Sequence, residues 1–111
     1  MNVYDLAHEL AKAMADSDEY KGYLEAKKVV EADETNSKMV NDFHKMEMDV
    51  NAKQVTGQKP TDEEIKKIND MYQLISMNQT DKAFLDSEMR LSTMISDVFK
   101  IINDAIGEVA E

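Results

Sequence analysis

Residues 82–109 read KAFLDSEMRLSTMISDVFKIINDAIGEV. On a seven-residue period, Phe84, Leu91, Val98 and Ala105 fall on one seam position, and Ile95, Ile102 and Val109 fall on the other. Leu85, Met94, Phe99, Ile101 and Ile106 flank the seam on both sides, giving an apolar arc wider than a two-stranded coiled coil needs. The stretch predicts one long helix, roughly 40 Å at 1.5 Å per residue, packed against several others. A chain this short cannot easily cover such a helix. Part of the cover is therefore expected from a second copy, with Leu91, Ile95, Val98, Ile102 and Ala105 as the self-association surface. Replacing Ile102 by Asp is expected to bury an unpaired charge and break either fold or assembly.

Upstream, the pattern loosens around Asn78-Gln79-Thr80. Asn78 and Thr80 are acceptable caps, but a bend in one continuous helix would give the same sequence, so a break and a bend both fit. Ile65, Ile68, Tyr72 and Ile75, with Met71 beside them, carry a helix that opens on Thr61-Asp62-Glu63-Glu64. That opening is a capping box: the Thr61 hydroxyl accepts a backbone N–H, Glu64 reaches back, and three acids sit at the positive end of the dipole. Asp62 with Lys66 and Glu63 with Lys67 are spaced to pair four apart. Thr56-Gly57-Gln58-Lys59-Pro60 is the clearest loop, with Gly57 suited to a left-handed C-terminal cap and Pro60 unable to continue a helix.

Before that loop, Met39, Val40, Phe43, Met46 and Val50 mark a helix capped by Asp33 and ending near Val55, the antiparallel partner of the next. Tyr20, Tyr23, Leu24 and Val30 form a looser stripe interrupted by Gly22, which is either a close helix contact or a tolerated exposed glycine. Val3, Leu6, Ala7, Leu10, Ala11 and Met14 predict a first short helix over about Asn2 to Ala15, with Asp16 or Ser17 stopping it and capping the next. The expectation is an all-α fold: one helical-bundle domain over residues 1–111, with four to five helices and a long C-terminal amphipathic helix.

Composition narrows the function classes. A chain of 111 residues has no room for a separate catalytic domain and is expected to bury a bit under ~70% of its unfolded surface. The formal charge of −10 repels phosphate backbones and anionic headgroups, so no direct nucleic-acid or membrane binding is expected. Cysteine is absent, which excludes disulfides, thiolate nucleophiles and thiolate-bound metal or iron–sulfur centres. No signal-type start and no run of eighteen apolar residues occurs, so a cytoplasmic location is expected.

The groups that could carry chemistry each have a plainer explanation. His44 and Glu47 lie three apart and could share a helix face as metal ligands do, but a metal needs three or four such groups, and His44 reads as a partly exposed, water-bonded side chain. His8 sits off the first apolar stripe with no nucleophile in reach. The nine methionines fill a helical core more often than they line an adaptable binding surface, and Met46 and Met48 lie on nearly opposite faces. Asp16-Ser17-Asp18-Glu19 and Asp62-Glu63-Glu64 could attract cations but are sufficient as helix starts. No phosphate-binding glycine loop, triad spacing or dinucleotide fingerprint occurs, which leaves no catalytic residue, cofactor or metal to assign.

The order of elements resembles a known family. Ser17-Asp18-Glu19-Tyr20 opens a short helix, and Lys38-Met39-Val40-Asn41-Asp42-Phe43 begins a longer one. The Gly57 loop leads into Thr61-Asp62-Glu63-Glu64, and the chain closes with Ser87-Glu88-Met89-Arg90-Leu91-Ser92 through Ile101-Ile102-Asn103-Asp104-Ala105-Ile106. Over nearly its whole length this resembles the YlbF/YmcA family of small helical bacterial proteins, above all its YheA-like branch. The resemblance implies an all-helical, oligomer-forming cytoplasmic protein of Firmicutes without enzymatic activity. Relatives regulate competence, sporulation and biofilm formation in a multi-protein complex that modulates messenger-RNA processing by ribonuclease Y and holds iron–sulfur clusters through cysteines. With none of its own, this chain supplies no cluster ligand. The expected function is a regulatory adaptor that self-associates and binds protein partners; the alternative is a helical protein that binds a small ligand or a cation.

Overall fold

A computed structural model describes residues 2–107. They form five helices: α1 (Val3–Ala15), α2 (Asp18–Glu31), α3 (Glu34–Val55), α4 (Asp62–Ser76) and α5 (Gln79–Ile106). No strand occurs among the described residues, and the chain is all-α with a long C-terminal helix, as its periodicity predicts.

Each helix starts on a side chain that accepts the first free backbone N–H groups. Asn2, Ser17, Asp33, Thr61 and Asn78 are the five N-caps. At Thr61 the capping box is complete: the hydroxyl accepts from Glu64 N–H at 3.1 Å, and Thr61 N–H donates to Glu64 Oε1 at 3.0 Å. Lys53 at the end of α3 donates to the same Glu64 Oε1 at 2.6 Å, clamping the α3–α4 hairpin. At the other side of that turn Gly57 adopts φ 81°, which glycine takes without the steric cost a Cβ would add. Gln58 N–H then reaches Lys53 C=O at 2.8 Å, and Gly57 N–H reaches Gln54 C=O at 3.1 Å. Those two bonds form the Schellman closure of α3. Between α4 and α5 the chain breaks rather than bends, with extended backbone at Asn78 and its side chain accepting from Asp81 N–H at 3.1 Å.

Packing is dominated by α2 laid antiparallel along the first two thirds of α5. Ala26 and Val29 lie beside Gln79–Ala83, Tyr23 stacks on Phe84 at 5.6 Å, and Glu19 lies beside Met94 and Val98. Val30, Val40 and Phe84 make the buried cluster that joins α2, α3 and α5. Ile75 and Phe43 are buried nearby, where the Phe43 and Tyr72 rings meet at 6.0 Å.

Several expectations need correction. Among the described residues no methionine is fully buried: Met14, Met39, Met46, Met71 and Met94 are half-buried and Met48, Met77 and Met89 largely exposed, so methionine borders the core rather than filling it. A Cβ built at Gly22 meets nothing within 4 Å, so this glycine makes no close helix contact. Lys66 pairs forward with Asp70 at 2.9 Å rather than back with Asp62. Val109, assigned to the seam, lies outside the described residues.

The molecule is a slab. Its Cα atoms span 50 × 37 × 16 Å with a radius of gyration of 17.4 Å, against ~13 Å for a compact domain of this length. Its accessible surface is 8790 Å², whereas a folded monomer of this mass exposes about 6,200 Å². Only about half of the unfolded surface is removed, less than the near-70% expected, because a slab this thin has no further layer over its helices.

Candidate interaction surface

The five seam residues of α5 divide into two groups. Leu91, Ile95 and Val98 are half-buried against the chain's own helices, while Ile102 and Ala105 are exposed. From Phe99 onward α5 runs past the start of α2, and its apolar residues are exposed among the described residues: Phe99 is 61%, Ile101 70%, Ile102 43% and Ile106 65% exposed. A charge at position 102 would therefore face solvent in the single chain, so Ile102→Asp is not expected to break its fold.

A second uncovered face lies on α1, which has no buried residue. Its apolar positions recur at Val3, Leu6, Ala7, Leu10 and Met14, the stripe of a helix meant to pack. Val3, Leu6 and Leu10 are all exposed. Among the described residues, the helix meets α2 and no other helix. Sequence periodicity marked this stripe as a helix but could not show that the rest of the chain leaves it bare.

Polar groups gather at two other places. On one face, His44 Nε2 lies 2.7 Å from Glu88 Oε1, tying α3 to α5. Glu47 joins them, and its carboxyl is pushed above the usual range by burial, with His44 opposing the shift and Glu88 adding to it. The three border an open groove of about 390 Å³ floored by Phe43, Tyr72, Leu85 and Met89. His44 thus meets a carboxylate of another helix rather than standing as a water-bonded surface histidine. Its partner is 44 residues away in sequence, beyond the reach of local spacing. Even so, among the described residues no group of three or more His, Cys, Asp or Glu side chains could hold a metal ion. His8 is exposed on α1.

At the opposite polar site the starts of α3 and α5 converge. Asn78 Nδ2 donates to Asn36 Oδ1 at 2.9 Å while its own Oδ1 caps α5. Between them sits Asp81, fully buried, with neither carboxylate oxygen hydrogen-bonded. Burial, reinforced by the nearby Asp33 charge, pushes its carboxyl above the ordinary value. Sequence reasoning missed this residue, because an acid in the first turn of a helix ordinarily faces water.

What the described residues present, then, is apolar helix surface beside two small polar clusters, and comparison with known proteins adds the family. The sequence profile described as "Control of competence regulator ComK, YlbF/YmcA" matches residues 3–107. The chain belongs to the YlbF/YmcA family. Among relatives of this YlbF/YmcA protein, the UPF0342 protein of Caldicellulosiruptor saccharolyticus is 39% identical over 105 residues, covering 95% of this chain and 88% of the relative. That of Halothermothrix orenii is 39% identical over 102 residues, covering 92% and 86%. Two solved structures share the YlbF/YmcA fold. A protein of unknown function (DUF964) from Bacillus stearothermophilus superposes with a TM-score of 0.83 at 22% identity, covering 96% of this chain and 94% of that one. Bacillus subtilis RicA, solved in complex with RicF, gives a TM-score of 0.61 at 21% identity, covering 94% and 92%. As in the sequence, no helix among the described residues is long and apolar enough to cross a membrane.

Proposed function

We propose that this chain is a non-enzymatic regulatory adaptor of the cytoplasm that self-associates and acts through protein partners. The observation that carries the proposal is the uncovered apolar surface on α5 and α1 in a chain that offers no reactive cluster or metal site among its described residues. The family profile points to control of a competence regulator, and RicA is a relative in fold that was crystallised with a protein partner. By that likeness the process served is competence, sporulation or biofilm control, or messenger-RNA processing. Lacking cysteine, the chain would join such a complex without supplying thiolates to a cluster.

The deciding experiment is a tagged pull-down from a native bacterial lysate, with quantitative mass spectrometry against an untagged control. Recovery of ribonuclease or competence-complex components supports the adaptor, and recovery of the bait alone removes its pathway. Self-association is read separately by light scattering, where a strict monomer at micromolar concentration refutes it. The groove beside His44 and Glu47 favours the second reading, a small organic ligand or a cation. A thermal-shift screen tests it, since saturation at a hundred times the dissociation constant adds about 2.7 kcal/mol, and an adaptor shows no such shift.

A further inference from the structure

The self-association reading leaves open which parts of two copies meet, and the inference drawn here rests on that reading. Two arms leave the body of the slab at one end. The first is the last part of α5: cover by α2 stops where Glu19 lies beside Met94 and Val98, so Phe99–Ile106 extends another ~12 Å beyond it. The second is α1, which is joined to α2 at that same end by Asp16 and Ser17 alone. Among the described residues α1 does not pack on α5 within the chain. Each arm is amphipathic, and each is bare.

We propose that α1 of one copy lies across the distal part of α5 in a second copy, reciprocally about a two-fold axis, so that Leu6 and Leu10 of each cover Ile102 and Ile106 of the other. Because both arms leave from one end, a single two-fold operation satisfies both at once, the self-complementary condition of a closed dimer. Charge favours a second copy over a basic protein. In α1 Asp5 and Glu9 stand against Lys12, and in distal α5 Lys100 is paired with Asp104 at 2.8 Å. The two arms together carry only about one of the ten net negative charges, so two copies meet where repulsion is least and where a cationic partner finds little to attract it. Area agrees. The surface in excess of a folded monomer, about 2,600 Å² per chain, lies at the upper end of what each partner buries in an obligate homodimer, roughly 1,000–2,500 Å².

The absence of cysteine makes the test clean. Leu10→Cys protein is mixed with differently tagged Ile102→Cys protein under mild oxidation, and the double variant is run alone. The expected result is a mixed disulfide between the two tags, and a covalent dimer from the double variant. An internal disulfide giving a monomer band from the double variant overturns the proposal by showing that α1 folds back on its own α5. Leu6→Asp with Leu10→Asp, on a helix whose residues are all exposed or half-buried in the monomer, is expected to leave helicity unchanged while weakening dimerisation about 100-fold by light scattering. Native dimerisation by that variant, or cross-linking only between two copies of Ile102→Cys, refutes the α1 contact while leaving self-association standing. A native chain that stays monomeric at micromolar concentration refutes both.

Discussion

Asp81→Asn is the sharpest test of the polar junction between α3 and α5. Asp81 is 0% exposed and neither of its oxygens has a hydrogen-bond partner. A buried group left unsatisfied costs about 1–3 kcal/mol, more when charged. Against this stands the favourable place of an acid in the first turn of α5, about 0.3–1 kcal/mol. The amide keeps the shape, removes the charge and ends the repulsion from Asp33. It should therefore stabilise the protein at pH 7 by about 1 kcal/mol, net of the lost dipole term.

The pH dependence carries its own sign. A carboxyl raised above its ordinary value of 3.8 binds its proton more tightly in the folded state than in the unfolded one. Its penalty is absent below the unfolded value, grows as pH rises between the two, and is complete above the folded value. The gain from Asn should accordingly vanish in acid. Urea denaturation followed by circular dichroism, at one protein concentration and ionic strength, compares the two proteins at pH 7 and near pH 3.5. An Asp81→Asn protein less stable at pH 7, or a difference that does not change with pH, refutes the claim that Asp81 is a buried, unpaired acid.

Other substitutions probe the remaining elements. Phe84→Ala removes the ring that stacks on Tyr23 and meets the edge of His44 at 6.2 Å, and should cost about 3 kcal/mol in the same denaturation assay. Gly22→Ala, with open space around its Cβ, should stabilise by about 1 kcal/mol, seen as a higher Tm. Glu64 is held down to about 2 by Lys53 and then by the Thr61 backbone N–H, from an ordinary 4.5. Its contribution is present above pH 4.5 and lost as pH falls toward 2, so Glu64→Gln should lower Tm at pH 7 and converge with the native protein in acid.

What could be read from sequence was what depends on neighbours in sequence. Thr61, Glu64, Gly57 and Asp33 act through backbone groups two to five residues away, so their spacing alone placed the boundaries of α3 and α4. Asn78 was ambiguous because a cap signal does not say whether a helix precedes it without a break. Its bond to Asn36, like that of His44 to Glu88, spans more than forty residues and exists only after packing. The methionine count misled for a related reason: composition says how flexible a core would be, but a slab this thin has little core to fill. The α5 seam was legible as apolar, yet only the folded chain shows that Leu91, Ile95 and Val98 are half-buried within it while Ile102 and Ala105 are exposed.

The bond between Asn78 and Asn36 also bears on how the chain assembles. The most extensive packing joins α2 to α5, which are about 50 residues apart, and closing a loop of that length costs ~3.5 kcal/mol of chain entropy beyond a constant. The α3–α4 hairpin, built from contacts near in sequence, brings the end of α4 back to the start of α3, where Asn78 meets Asn36. Once the hairpin stands, the remaining gap is a few residues at either side, and the same closure costs about 2 kcal/mol less. The middle of the chain thus acts as a template that carries the head of the long helix to the tail of its mate, turning a distant encounter into a local one.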